Sequence, residues 1–211
     1  MLDFSNSKIL IVGDVMLDKY YFGKVDRISP EAPVPIVNIQ KEESRLGGAS
    51  NVANNIVSLG GHSLLCGVIG HDLFGKEIER ISRHKNIDTF LLKTSSPTIT
   101  KARIIGGKQQ IVRVDYEDKS ELNADNKKLF RDTISRILPE YDILVISDYG
   151  KGLISEDLCR YLIKLAHKYD KKVIIDPKGK NWEKYSGADI VTPNVKELSD
   201  IVGYTVPNTD R

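Results

Sequence analysis

Short apolar runs that stop at a glycine or an acidic residue recur along this chain, and they constrain its fold more than any other feature. Lys8-Ile9-Leu10-Ile11-Val12-Gly13 is the first; residues 64–69, 143–146 and 173–175 follow, with a weaker run at Ile190-Val191. Continuous runs of this kind suit strands buried on both faces of a parallel sheet. Helical patterns lie between them. In residues 155–169, Leu158, Tyr161, Leu162, Leu165 and Ala166 fall on one face behind a Ser155 cap, with Glu156 and Asp157 in the first turn. A second helix is predicted over residues 123–138, with Leu129, Phe130, Ile134, Ile137 and Leu138 inward and Pro139 ending it. Strands alternating with helices imply right-handed crossovers and a doubly wound α/β sheet.

Two stretches break the rhythm. Residues 20–41 carry Pro30, Pro33 and Pro35 among alternating apolar residues, and residues 98–116 alternate around a Gly106-Gly107 turn. Both predict antiparallel, partly exposed strands that form a small β lid over the sheet. No internal repeat, low-complexity tract or Pro/Ser-rich linker separates a second domain.

Composition excludes several classes of function. The 31 Lys and Arg against 29 Asp and Glu are interspersed, so no basic stripe points to nucleic acid. No run approaches the length needed to span a bilayer, and the first residues lack the apolar core of a signal peptide, so a cytoplasmic protein without a membrane partner is expected. Cys66 and Cys159 match no metal-ligand spacing and are expected to be buried thiols.

Several polar clusters follow the predicted strands. Asp14 and Asp18 sit just past the first, where ligands of open α/β sheets bind, although acidic residues there also serve as turn formers. Gly47, Gly48 and Asn51 open a helix whose N-terminus favours anionic or hydroxyl-rich groups; a ligand-free glycine-rich helix start is the competing reading. Residues 70–77 have the spacing of a phosphate-binding P-loop, but Glu77 stands where a Ser or Thr hydroxyl is required, so they are read as a strand-to-helix turn. On the lid, Lys101 and Arg103 share one strand face, Gln109 and Gln110 follow the turn, and Arg113 and Asp115 share the next face. That pattern suits either an anionic substrate or a solvated edge strand. Asp148 and Lys151 lie in Ser147-Asp148-Tyr149-Gly150-Lys151-Gly152. Asp176 and Lys178 follow the 173–175 run, and Asn194-Val195-Lys196-Glu197 matches a helix capping box. Because Asp14, Asp148, Asp176 and Asn194 each follow a core strand, the pattern gathers them along one sheet edge.

With these residues assembled, the sequence resembles the ribokinase-like carbohydrate kinases, and within them the branch acting on heptose 7-phosphate. The resemblance rests on Gly13 to Asp18, Arg27-Ile28-Ser29-Pro30-Glu31-Ala32-Pro33-Val34-Pro35, Leu46 to Ala53, Thr100 to Arg103, Gln109-Gln110 with Arg113 and Asp115, Ser147 to Gly152, Asp176-Pro177-Lys178, and Thr192-Pro193-Asn194 with Glu197. It implies a Rossmann-like doubly wound domain with a β lid, spanning residues 1–211 as part of a kinase domain. It also implies transfer of the γ-phosphoryl of ATP to O1 of D-glycero-β-D-manno-heptose 7-phosphate, for ADP-heptose and lipopolysaccharide synthesis. Under it, Asp14, Asp18, Gly47, Gly48 and Asn51 would hold the sugar. Lys101, Arg103 and Arg113 would meet its phosphate, with Gln110, Asp148 and Lys151 also at the substrate. Asp176, Lys178, Asn194, Val195, Lys196 and Glu197 would form the nucleotide element, with Glu197 holding Mg²⁺ through water. A homodimer through the lid is a further expectation.

One departure is expected to matter. The family carries a Gly-Ala-Gly-Asp motif whose Asp is the catalytic base, and the motif does not occur in these 211 residues. The base is expected beyond Arg211, and the chain alone is expected to be inactive. Another ribokinase-like sugar or nucleoside kinase, or a non-catalytic sugar-phosphate-binding module, are the alternatives.

Overall fold

The computed structural model describes residues 4–118 and 121–207. Ten strands and five α-helices follow one another in this region: β1 (Lys8–Gly13), β2 (Val15–Ile28), β3 (Pro35–Gly48), α1 (Ala49–Ser58), β4 (His62–Gly70), α2 (Leu73–His84), β5 (Asp88–Thr94), β6 (Thr100–Gly106), β7 (Gln109–Tyr116), α3 (Ala124–Ile137), β8 (Ile143–Ser147), α4 (Glu156–Lys168), β9 (Lys172–Asp176), β10 (Ile190–Val191) and α5 (Val195–Val202). Six of the strands form one sheet in the order β10-β9-β8-β1-β4-β5, every pairing parallel. The chain winds outward from β1 through β4 to β5, then returns to β8 on the other side of β1. This is the doubly wound order, and its switch point lies between β1 and β8, where such sheets bind ligands.

Each of the predicted core strands is present. The β1 run is buried because it lies in mid-sheet, with Leu10 and Val12 facing α3 and α4 while Ile9 and Ile11 face α1 and α2. On the first side Phe130, Ile134, Leu138, Leu158, Leu162 and Ala166 pack onto Leu144, Ile146, Val173 and Ile175. Ser155 caps α4 by accepting the Leu158 amide at 3.3 Å. Two details differ from the helix patterns. Leu129 is 48% exposed, because Phe130 and Ile134 already fill that stripe of α3, and the buried face of α4 also takes in Cys159 and Ile163, with Tyr161 and Leu165 half-buried against the same core.

The lid is one four-stranded sheet, ordered β3-β2-β6-β7. β2 pairs antiparallel with β3, and β6 with β7, as the alternation predicts, but β2 and β6 run parallel, which joins the two insertions into one unit. Its strands are also longer than residues 20–41 suggest. β2 starts at Val15, directly after Asp14, and β3 continues through the glycine pair to Gly48, so lid and helix α1 share a junction. β5 went unforeseen because it is an edge strand with polar residues Asp88, Thr89, Lys93 and Thr94 at its ends.

The residues 70–77 form a strand-to-helix turn. Asp72 caps α2, accepting the Gly75 amide at 2.8 Å and both the amide and hydroxyl of Thr98 at 2.7 Å. A carboxylate thus occupies the helix end where a P-loop would receive phosphate. Among the described residues no helix is long and apolar enough to cross a membrane. Both thiols are buried, which pushes their pKa values up, that of Cys159 to about 12.

Candidate active site

Asp14, Asp148 and Asp176 all lie at the C-terminal edge of the parallel sheet, following β1, following β8 and ending β9, and Asn194 caps α5 beyond β10. The edge carries two separate cavities. The larger, about 680 Å³, lies between the lid and the start of α1, and it brings together Asp18, Gly47, Gly48, Asn51, Lys101 and Arg103 with Arg45 and Tyr149. Strand register explains this grouping. Asp18 of β2 pairs with Lys101 of β6 and Arg45 of β3, and side chains directly opposite share a face. Arg103 donates from its guanidinium to Asp18 Oδ1 at 2.6 Å, and both Arg45 and Arg103 stack against the Tyr20 ring at 4.8 and 5.1 Å. The lid therefore presents three cations, Lys101, Arg103 and Arg45, beside two carboxylates, Asp18 and Glu43, and Glu43 accepts from Arg45 at 2.6 Å.

The two glycines are required by space. A Cβ on Gly47 would lie 2.5 Å from Asp18 Oδ2, and Gly48 has φ +55°, where a Cβ would lie 2.4 Å from the Asp14 carbonyl oxygen. The same carbonyl accepts the Ala49 amide at 3.0 Å, and the Ser50 hydroxyl donates to the Gly47 carbonyl at 2.6 Å. No side chain caps α1. Asn51 lines the cavity with both a donor and an acceptor, beside the Asp18 acceptor.

Five other expected substrate residues stand outside that cavity, each for a local reason. Asp14 is 2% exposed and accepts the amides of Tyr149 at 2.8 Å and Lys151 at 3.1 Å, so it holds the β8–α4 loop against β1. Burial pushes its carboxyl above the ordinary value despite those amides, with the neighbouring Asp148 adding to the rise. With Lys151 it lines a second cavity of about 220 Å³ beneath residues 94–99 and the start of α3, and the Lys151 ammonium is paired with Glu117. Asp148, also 2% exposed, accepts from Lys184, from the Tyr185 hydroxyl at 2.7 Å and from the Gly150 amide at 2.7 Å. On the outermost lid strand Gln110 is exposed, and Arg113 is held in a two-point pair with Asp115 at 2.8 and 3.0 Å.

The expected nucleotide element does come together. Glu197 Oε1 accepts the Lys178 ammonium at 2.8 Å, while Asn194 and Glu197 close a reciprocal capping box at 2.9 and 3.1 Å. Burial alone would raise the Glu197 pKa, but Lys178 and the Asn194 amide hold it below the usual carboxylate value. Burial and the Glu197 charge push Asp176 up. Val195 and Lys196 lie exposed in the first turn of α5. Between this element and the larger cavity stands Tyr149, its ring 5.9 Å from the Lys101 ammonium and its phenol pushed up by burial and by Asp176. Tyr149 and Arg45 were not among the expected site residues. The alternation of Arg45 with Gly47 carries the signal for one, once β3 is known to reach Gly48; the motif around Asp148 carries it for the other.

A parallel doubly wound sheet with a β lid closing over sugar-sized polar space defines a class of small-molecule kinase folds. The chain belongs to the pfkB family carbohydrate kinases, whose family model matches residues 6–210. It is 48% identical over 193 residues to the bifunctional protein HldE of Helicobacter pylori, covering 90% of this chain and 42% of that one. To the D-beta-D-heptose 7-phosphate kinase of Bordetella bronchiseptica it is 44% identical over 200 residues, covering 94% of this chain and 63% of that one. It thus spans less than two thirds of either relative. Among solved structures, phosphofructokinase-2 of Escherichia coli superposes with a TM-score of 0.72 at 21% identity, and a carbohydrate kinase of Agrobacterium tumefaciens with 0.71 at 19%.

Proposed function

We propose that this chain is the sugar-recognising part of an ATP-dependent kinase for D-glycero-β-D-manno-heptose 7-phosphate, the step that yields the 1,7-bisphosphate for ADP-heptose and lipopolysaccharide synthesis. The observation that carries the reading is the cavity under the lid. It offers an acceptor in Asp18 and a donor in Asn51 for hydroxyls, with Lys101, Arg103 and Arg45 on the lid for a phosphate. Arg103 and Arg45 already pair with Asp18 and Glu43, so Lys101, beside the Tyr149 ring, is the lid cation best placed to meet a phosphate. The heptose 7-phosphate kinase identity of the Bordetella relative supports the same substrate.

ATP would approach along the β9–β10 edge, next to Asp176, Lys178 and the Asn194–Glu197 box. Asp176 and Glu197 supply the hard oxygen donors that Mg²⁺ prefers, and because the Lys178 ammonium already engages Glu197 the metal is suited to be held through water. Bound there, the ion would neutralise phosphate charge during transfer. Lys178 is placed to do part of the same work. The Gly-Ala-Gly-Asp motif is absent from the sequence, so binding without turnover is expected of the chain by itself. The exposed Val112, Val114 and Tyr116 of β7 support a homodimer formed through the lid.

Titration calorimetry with heptose 7-phosphate and with the unphosphorylated heptose tests the proposal. Tighter binding of the phosphorylated sugar, lost in Lys101→Met, is expected; equal affinities for the two sugars overturn the substrate assignment. Bisphosphate formation by the isolated chain would overturn the expectation of inactivity.

A further inference from the structure

The side of the lid that meets the larger cavity is built around one aromatic ring. Asp18, Tyr20 and Phe22 alternate onto one side of β2, opposite Arg45, Glu43 and Lys41 of β3. On the other flank of β2, Lys101 and Arg103 of β6 stand opposite Asp18 and Tyr20. Both guanidiniums lie over the Tyr20 ring, Arg45 at 4.8 Å and Arg103 at 5.1 Å from its centre. The ring is held in turn. Phe22 stacks on it at 6.0 Å with 10° between the planes, and the Lys41 ammonium lies 6.0 Å from the Phe22 centre.

Charge on this side does not cancel. Asp18 accepts from Arg103 at 2.6 Å, and Glu43 is shared between Lys41 and Arg45, each at 2.6 Å. On β2, β3 and β6, Lys41, Arg45, Lys101 and Arg103 thus stand around Asp18 and Glu43, four cations to two carboxylates. Arg45, Lys101 and Arg103 line the cavity, whereas Tyr20 is not part of its wall.

Arginine carries five N–H donors in a planar fork, so a guanidinium that donates to a carboxylate keeps others for a second anion. Those donors are useful only if the fork is held still. The Arg45 side chain is 59% exposed, and fixing a long side chain costs rotamer entropy. A ring face attracts cations and offsets that cost, and a ring on the central strand does so for both guanidiniums at once.

We propose that Tyr20 is a specificity-determining positioning residue: its ring holds Arg45 and Arg103 so that the N–H groups their carboxylates leave unused converge on a phosphate attracted by Lys101. Tyr20 itself touches no substrate and acts through the two arginines. The inference rests on the assignment of a phosphorylated substrate to this cavity, and it adds what sets the preference for the phosphate over the bare sugar. A phosphate dianion matches the surplus of positive charge, which neutral hydroxyls do not.

Calorimetry with heptose 7-phosphate and unphosphorylated heptose on Tyr20→Leu and Tyr20→Phe tests the proposal, with circular dichroism confirming the fold. Tyr20→Leu removes the ring, and the preference for the phosphorylated sugar should fall about fivefold or more, the size expected for two lost cation–π contacts. Affinity for the unphosphorylated heptose should stay at the parent's value, and Tyr20→Phe should keep the preference. A residue that only supported the lid would lower both affinities together.

A second readout does not depend on the sugar. In proton–nitrogen correlation spectra the Nε–H signals of Arg45 and Arg103, assigned through Arg45→Lys and Arg103→Lys, should be displaced by the ring current of Tyr20 and should move on titration with inorganic phosphate. Tyr20→Leu should abolish the displacement and weaken the phosphate response. Equal affinities of the parent for the two sugars would overturn the substrate assignment, and the phosphate titration then decides the role of Tyr20. An unchanged preference in Tyr20→Leu, equal losses for both sugars, or Tyr20→Phe behaving as Tyr20→Leu would each overturn the proposal. So would arginine signals that show no displacement in the parent, or a phosphate response indifferent to Tyr20→Leu.

Discussion

Arg103 and Asp18, 85 positions apart in sequence, meet at 2.6 Å on neighbouring lid strands and set the charge pattern of the cavity. The pair is about four-fifths buried on each side, so water screens it less than a surface ion pair. Replacing the carboxylate changes both what the cavity accepts and where the guanidinium points. Asp18→Asn should lower heptose 7-phosphate affinity at least tenfold, the equivalent of a charged hydrogen bond of about 1.5 kcal/mol. Calorimetry reads the affinity, and an unchanged thermal midpoint would separate this loss from unfolding.

Gly48→Ala tests the junction between lid and α1. The position combines a left-handed backbone with a Cβ clash against the Asp14 carbonyl, and such strain costs about 1–3 kcal/mol. Urea unfolding should show that loss, and sugar binding should fall with it because Gly48 lines the cavity beside Gly47 and Asn51. Gly60→Ala, at φ +90° but with open space around its Cβ, should be the milder of the two.

Asp72 provides a pH-dependent contribution with a defined sign. Burial would raise its pKa, but the hydrogen bonds from Thr98 and Gly75 outweigh that and hold it below the ordinary value of 3.8. A carboxyl lowered in the folded state stabilises above its unfolded pKa and loses that contribution as pH falls. Asp72→Ala should therefore cost about 1–2 kcal/mol at pH 7, the usual range for a lost helix cap. The gap between parent and variant in chemical unfolding should narrow as the pH is lowered below 3.8.

Lys184→Met should be among the most damaging single substitutions outside the apolar core. It leaves the Asp148 carboxylate, 2% exposed, with the Tyr185 hydroxyl and the Gly150 amide but without its cation. Breaking a buried pair from one side costs about 3 kcal/mol. Differential scanning calorimetry measures it, and Lys184→Arg should recover part of the loss.

The sheet was legible in the sequence because its strands are buried on both faces and stop where the chain turns at the ligand edge. The run from Lys8 to Gly13 could be read as a strand from composition alone, whereas β5 could not, since an edge strand carries Asp88 and Lys93 where solvent admits them. The cavity was half legible. Gly47, Gly48 and Asn51 belong to one local motif, and Lys101 and Arg103 to another, so each group could be read in place. What sequence could not show is which partner each group takes. Asp14 and Asp148 sit at the same strand ends as a substrate ligand would, and there a loop amide pair on Asp14 Oδ2 and the Lys184 ammonium on Asp148 also engage them. Tyr149 reaches the cavity only through the fold of that loop.

The continuous register of β2 against β6, with Asp18 opposite Lys101 and Tyr20 opposite Arg103, also has a consequence for how the gene can change length. Side chains alternate with period two, so one codon inserted among residues 15–17 would turn Asp18 to the far face of the lid while leaving Lys101 and Arg103 in place. The exposed lid tip at residues 29–34 lies beyond that pairing, and indels there would leave the cavity lining untouched. Length variation among descendants of this gene should accumulate at that tip and be purged from the three residues that separate Asp14 from Asp18.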